Sequence, residues 1–167
     1  MEIKYHLGIY NEIFTILNGI NHGNQERQIS IKKIQSNEIQ PEVKTLLSYA
    51  TSEKKVNSEY LLYIESPERV LYGYYIDQNI VGCIGIVKGD ANHCEIKHIA
   101  VSPTYRGKNI GREMVRFIEE HYSFSIIYAE TDQDAVTFYK NVGFLIRSLG
   151  EKYPGVERFA CILNRTT

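Results

Sequence analysis

The 167-residue chain is long enough for one domain with a proper hydrophobic core, and two domains would be cramped. Its 43% hydrophobic and 23% charged residues are those of an ordinary soluble globule, and a net charge of -1 argues against a protein that tracks nucleic-acid phosphates. No apolar run approaches the roughly 18 residues of a membrane-crossing helix, so neither nucleic acid nor membrane is expected as a partner.

Met1-Glu2-Ile3-Lys4 lacks the charged-then-apolar plan of a secretion signal. Ile3, Leu7, Tyr10, Phe14 and Leu17 then recur at spacings of four, three, four and three, which suits one face of a helix, although Gly8 and Gly19 weaken it. Residues 1–26 are therefore read as an N-terminal arm with helical character, ending in the polar stretch 21–26. The arm packs on the main domain, 27–167, or on a second copy of the chain.

Residues 28–34 alternate as a strand. Pro41 opens a helix through residue 50, because proline fits the first turn, and a second helix lies within 52–66 before Pro67. VLYGYYID (70–77) and NIVGCIGIV (79–87) form an antiparallel pair across a short turn, and HCEIKHIAV (93–101) is a third strand. Residues 109–122 repeat Ile110, Met114, Phe117 and Ile118 on one helical face. A short strand over 125–130 and a helix over 132–142, stopped by Gly143, precede a last hairpin, 143–150 and 157–164, around Tyr153-Pro154-Gly155. The expected architecture is a single α/β domain of the α+β type, with a mixed, mainly antiparallel sheet flanked by helices. Cys83, Cys94 and Cys161 are odd in number, lack metal-ligand spacing and sit in apolar strands, which predicts buried free thiols in a reducing cytoplasm and no metal.

The stretch YRGKNIG joins a strand to a helix N-terminus, where unpaired amides and the helix dipole attract an anion. Its glycines admit a close ligand, and Arg106 and Lys108 add charge at the rim. It carries neither the GxxxxGK[ST] pattern of a P-loop nor GxGxxG. Taken with the downstream DQDAVTFYKNVGF, however, AVSPTYRGKNIG resembles the first of the two signature motifs of the GNAT acetyltransferases, and the element order over roughly residues 28–164 resembles theirs.

The resemblance implies acetyl-CoA as co-substrate and a primary amine, small molecule or peptide, as acceptor, joined by direct attack in a ternary complex. It implies that the amides of Arg106, Gly107, Lys108, Asn109, Ile110, Gly111 and Arg112 hold the pyrophosphate, with Asn109 where a glycine is usual. Asparagine tolerates a left-handed backbone, so the loop geometry is expected to survive, with Asn109 at positive φ. Strand amides at Ile99, Ala100 and Val101 would polarise the thioester carbonyl. Asp132, where relatives carry an asparagine, is read mainly as the cap of the following helix, with a cofactor contact beside it. Phe138 and Tyr139 form the aromatic pair of the second motif, with Tyr139 the candidate acid for the CoA thiolate.

Glu95 is the candidate base. Strict alternation places Glu95, Lys97, Ile99 and Val101 on one face and Cys94, Ile96, His98 and Ala100 on the other, so His98 is expected to point away from Glu95 as a core histidine. His98 titrates near neutrality and could also relay a proton, which makes it the second alternative, and ordered water is the third. The acceptor pocket falls to the first two helices and the last hairpin, among Tyr60, Tyr63, Glu65, Glu68, Tyr153, Glu157 and Arg158; the 13 tyrosines, including Tyr72, Tyr74 and Tyr75 on one strand, suit a cationic amine or an ordinary core equally. Two other readings stay open: a non-catalytic acyl-CoA-binding module, and a nucleotide-binding regulator. A homodimer is common in the family and compatible with the arm.

Overall fold

In the computed structural model, residues 13–16, 27–90 and 92–165 are described. In chain order they form β1 (Ile13–Ile16), β2 (Ile29–Lys33), α1 (Pro41–Ser48), a 3-10 turn (Glu53–Lys55) leading into α2 (Val56–Glu65), β3 (Arg69–Ile76), β4 (Asn79–Lys88) and β5 (His93–Val101). A second 3-10 turn (Pro103–Tyr105) precedes α3 (Ile110–Tyr122), then β6 (Ile126–Asp132), α4 (Val136–Val142), β7 (Leu145–Tyr153) and β8 (Val156–Asn164). The strands make one sheet in the order β1-β2-β3-β4-β5-β6-β8-β7. β5 and β6 run parallel, joined through α3, and the other neighbours are antiparallel. This is the mixed, mainly antiparallel sheet expected from the sequence.

Local chemistry explains most boundaries. Asp77 and Gln78 both have positive φ (48° and 69°), the backbone of a type I′ hairpin, and the Asp77 carboxylate accepts the Gln28 N–H at 2.9 Å. Gly143 ends α4 at φ 116°, as its position predicts. On α3, Ile110, Met114, Phe117 and Ile118 are buried, and Arg116 and Glu120 pair across one turn on the opposite face at 2.7 Å.

Two expectations are corrected. Ile13–Ile16 is extended and pairs antiparallel with β2, so the helical spacing that includes Phe14 does not make a helix there. The remainder of that pattern lies outside the described residues. The helix expected from Asp132 begins instead at Val136, because β6 continues to Asp132 and pairs it with Arg158 on β8.

The sheet separates two apolar clusters. Tyr72, Tyr74, Ile84, Ile86, Met114, Ile118, Ile127, Tyr139 and Phe144 fill the face covered by α3 and α4. Val43, Leu47, Val56, Tyr60, Tyr63, Leu71 and Cys83 fill the face covered by α1 and α2. Tyr60, Tyr72 and Tyr74 are thus core residues. The three cysteines are free and buried, and burial pushes the Cys83 and Cys94 thiols up to about 12.

Close approach fixes two glycines. A Cβ on Gly85 would lie 2.1 Å from Tyr63 Oη and 2.4 Å from its Cζ, and one on Gly111 would lie 2.7 Å from the Phe138 ring. Neither ring can retreat without opening the core. Gly85→Ala and Gly111→Ala are each expected to lower stability by about 1–3 kcal/mol through overpacking, read as a lower urea midpoint at unchanged m-value.

Candidate active site

The site is built on two interruptions of β5. Its ladder with β4 runs to Val101, opposite Gly82, but steps from Gly85↔His98 to Ile86↔Ile96 and leaves Lys97 as a bulge. Its parallel ladder with β6 covers only His93–Ile96 against Ile126–Ala129. Beyond that point β6 stays paired with β8 through Asp132 while β5 stays with β4, so the two parallel strands part. The β5 edge carrying Ile99, Ala100 and Val101 therefore faces an opening without a partner strand among the described residues.

The bulge changes which side chains share a face. Before it, Cys94 and Ile96 point into the α3 cluster; after it, Ile99 and Val101 pack on that cluster, while Ala100 joins the α1/α2 side. His98 meets Tyr63 of α2. The strict alternation expected from the sequence fails at Lys97, and His98 lies on the same face as Glu95 instead of the opposite one. Glu95 is bound by Lys97 at 2.9 Å, and both side chains are about one-third exposed.

At the mouth of the opening β5 turns through Pro103–Tyr105 into α3. Asn109 precedes the helix at φ 63°, ψ 6°, the left-handed conformation expected of it, and Gly107 is also left-handed at φ 75°. The first helical hydrogen bond runs from Glu113 N–H to the Asn109 carbonyl at 3.0 Å. The amides of residues 107–112 therefore find no acceptor among the described residues, at the positive end of a 13-residue helix. Ile110 and Gly111 offer backbone only, since both are buried.

The loop's cations are already engaged. Arg106 Nε donates to the Val101 carbonyl at 3.1 Å, and its guanidinium lies 5.5 Å from the Tyr49 ring. Arg106 thereby ties the loop to the end of β5 and to α1. Lys108 Nζ sits 4.7 Å from the Tyr105 ring, exposed and able to swing. Arg112, exposed, donates to the Asn141 carbonyl and so joins α3 to α4.

Tyr139 comes from α4, only 5% exposed, between Phe138 and Phe144 with ring centroids 5.1 Å away on each side. Phe138 in turn lies against Gly111, so the two signature segments meet through that ring. Burial pushes the Tyr139 phenol well above its ordinary value, so it is protonated at neutral pH. Asp132 does not cap α4: its Oδ1 accepts the Asp134 N–H at 3.1 Å, and its Oδ2 lies 3.9 Å from Arg158 at the free end of β6. Glu130 also pairs with Arg158, at 3.0 Å.

Four residues of this region escaped the sequence reading or were undervalued by it. Tyr63 Oη and His98 Nδ1 are 2.7 Å apart, Glu59 Oε2 is 4.0 Å from His98 Nε2, and Arg69 Nη1 is 3.5 Å from Glu59. No local pattern marks this group, because the bulge that turns His98 toward α2 has no signature in HCEIKHIAV.

Comparison with known proteins agrees with this geometry. Residues 37–144 match the acetyltransferase (GNAT) family. Over 80 residues the chain is 31% identical to an uncharacterized N-acetyltransferase in the lysA 3' region of Bacillus methanolicus, covering 46% of this chain and 67% of that one. A GNAT family acetyltransferase from Elizabethkingia anophelis, solved with acetyl-CoA bound, superposes with a TM-score of 0.65 at 20% identity, covering 82% of this chain and 98% of that one. The ribosomal-protein-S18-alanine N-acetyltransferase of Escherichia coli superposes at 0.64 with 14% identity, over 83% and 95%. A strand pair that parts beside an unpaired helix N-terminus, in a chain matched over most of its length, makes this protein a member of the GNAT acetyltransferase family.

Proposed function

We propose that the chain transfers the acetyl group of acetyl-CoA to a primary amine, of a small molecule or a peptide, by direct attack in a ternary complex. The observation that carries this reading is the parting of β5 and β6 directly beside the unbonded amides of residues 107–112. A thioester laid along the β5 edge and a pyrophosphate on the α3 N-terminus are what those two features suit. The acetyl-CoA reported in the Elizabethkingia relative supports the same assignment. Asp132, at the free end of β6, stands on the opposite bank and has acceptor capacity left for an amide of the pantetheine arm.

An alkylamine with a pKa near 10.4 is only about one part in two to four thousand neutral at pH 7, equivalent to roughly 4.5–5 kcal/mol. The chain must therefore take a proton from the acceptor, stabilise the carbonyl oxygen and protect the leaving thiolate. Backbone amides on the open edge of β5, those of Ile99 and Val101, serve the oxygen, while the Ala100 amide faces Cys83 of β4. Tyr139 serves the sulfur. Phenol is ordinarily a weaker acid than a thiol by about 1.5 pKa units, and burial weakens Tyr139 further, so it acts first as a hydrogen-bond donor to developing charge. Glu95, beside Lys97 and accessible, suits the capture of an ammonium group at the entrance as well as the role of base. Its Lys97 partner competes for the same oxygen.

Three outcomes test this reading. Acetyl-CoA at about a hundredfold excess over Kd should stabilise the protein by about 2.7 kcal/mol, a rise in Tm of roughly 5–10 °C, and ATP should not. A rise without thiol release on any amine would leave a binding module. Tyr139→Phe should lower kcat about a hundredfold while acetyl-CoA Kd stays within a few-fold; an equal kcat removes the acid assignment. Asn109→Gly should keep stability and acetyl-CoA affinity, whereas Asn109→Ala, forced to φ 63°, should lose about 1–2 kcal/mol of stability and bind the cofactor more weakly.

A further inference from the structure

We propose that Tyr63, His98 and Glu59 form a proton relay that neutralises the acceptor amine, a task the sequence reading gave first to Glu95, with His98 alone or water as the alternatives. The proposal rests on the transferase reading above. His98 is the one residue of β5 that the bulge turns toward α2 immediately before the Ile99–Val101 edge. It is 6% exposed, and Tyr63 is 5% exposed, so both are held in place, and their rings meet edge to face at 5.8 Å. Gly85, opposite His98 in the β4 ladder, leaves the space that the Tyr63 hydroxyl occupies.

The charges around the imidazole fix its tautomer. Glu59 Oε2 is 4.0 Å from Nε2, so a proton on Nε2 faces a carboxylate, whereas a bare Nε2 would face it with a lone pair. Nδ1 is then the acceptor, and Tyr63 donates to it at 2.7 Å. Burial pushes His98 down and Tyr63 up, so the resting pair is neutral imidazole and intact phenol. Every charged or titratable neighbour has a sign: Glu59 on α2 favours the imidazolium; Arg69 on β3 and Lys97 on β5 oppose it; Glu95 on β5 and Cys83 on β4 act on Tyr63. Arg69 Nη1 is buried without a hydrogen bond among the described residues, 3.5 Å from Glu59, and holds that carboxylate beside His98.

The proton steps balance. The amine's proton passes through one water to Tyr63 Oη while the Tyr63 proton moves to His98 Nδ1, giving an imidazolium whose Nε2–H faces Glu59. The C–N bond forms as the C–S bond breaks, the electron pair leaves on sulfur, and sulfur takes the Tyr139 proton. The acylated nitrogen then gives its second proton through water to the Tyr139 phenolate, and His98 returns its proton to solvent, for a net release of one proton. Tyr63, His98 and Glu59 act through water and are positioning residues.

The test is thiol release by the full chain, as kcat/KM between pH 6 and 10, with the best acceptor from a panel of a polyamine, an amino sugar and a lysine peptide. Tyr63→Phe and His98→Gln should each lower it about a hundredfold at pH 7. The deficit should shrink as pH approaches the amine's own pKa, since the substrate then arrives neutral. Glu59→Gln should move the acid limb to lower pH, because the charge that favours imidazolium is gone. Glu95→Gln should raise the amine KM and leave the profile's shape. Unchanged Tm and acetyl-CoA Kd show that each variant is folded. In the unaltered protein, imidazole 15N shifts should show His98 protonated on Nε2, a measurement that needs no variant. Variant profiles parallel to the parent, or His98 protonated on Nδ1, overturn the relay alone. A parent chain that binds acetyl-CoA but releases no thiol overturns the transferase reading, and the relay with it.

Discussion

The active region depends on where β5 and β6 stop pairing. A parallel ladder that ran on past Ile96 and Ala129 would satisfy the β5 edge internally and leave nothing for a ligand to bind. Two antiparallel neighbours prevent that: β4 holds β5 to Val101, β8 holds β6 to Asp132, and each follows its own partner. The gap is stable because both banks are anchored elsewhere. The Ile99 and Val101 amides on the open edge are tolerated without a partner strand because the strand's other edge is secured, which makes them available at no further conformational cost.

The helix N-terminus at the mouth of the gap follows the same logic. Unbonded amides at residues 107–112 ordinarily attract a capping side chain, but Asn109 offers no side-chain cap and instead supplies a left-handed turn. Lys108 leans on Tyr105, Arg106 on Val101 and Tyr49, and Arg112 on Asn141. Two of these cations brace the loop against β5, α1 and α4. What the loop offers an anion therefore lies mainly in its backbone amides. Gly111 adds to this by letting Phe138 close against α3, which in turn seats Tyr139.

The Lys97 bulge has the widest consequences for chemistry. One extra residue shifts the parity of a strand, so Glu95 and His98 come to the same side, and Ile99 and Val101 return to the α3 core. The polar group of Glu59, Tyr63, Arg69 and His98 exists only because of that shift, with Gly85 leaving room for the Tyr63 ring.

Much of this was legible in the residues. The strand HCEIKHIAV, the turn YRGKNIG, the periodic face of Ile110, Met114, Phe117 and Ile118, and the stop at Gly143 are local patterns, and local sterics and hydrophobic spacing determine them wherever they occur. The left-handed Asn109 belongs to the same class, since few side chains other than its own tolerate that backbone. What the sequence could not decide is how neighbouring strands share hydrogen bonds. Ile13–Ile16 became a strand against its helical spacing because β2 offered an edge, and Asp132 was drawn into β6 by Arg158 across the ladder rather than left to cap α4. The bulge at Lys97 and the parting after Ile96 are likewise settled between strands far apart in the chain. Sequence fixes each element's own preferences; pairing between elements sets parity, and parity decides which side chains meet.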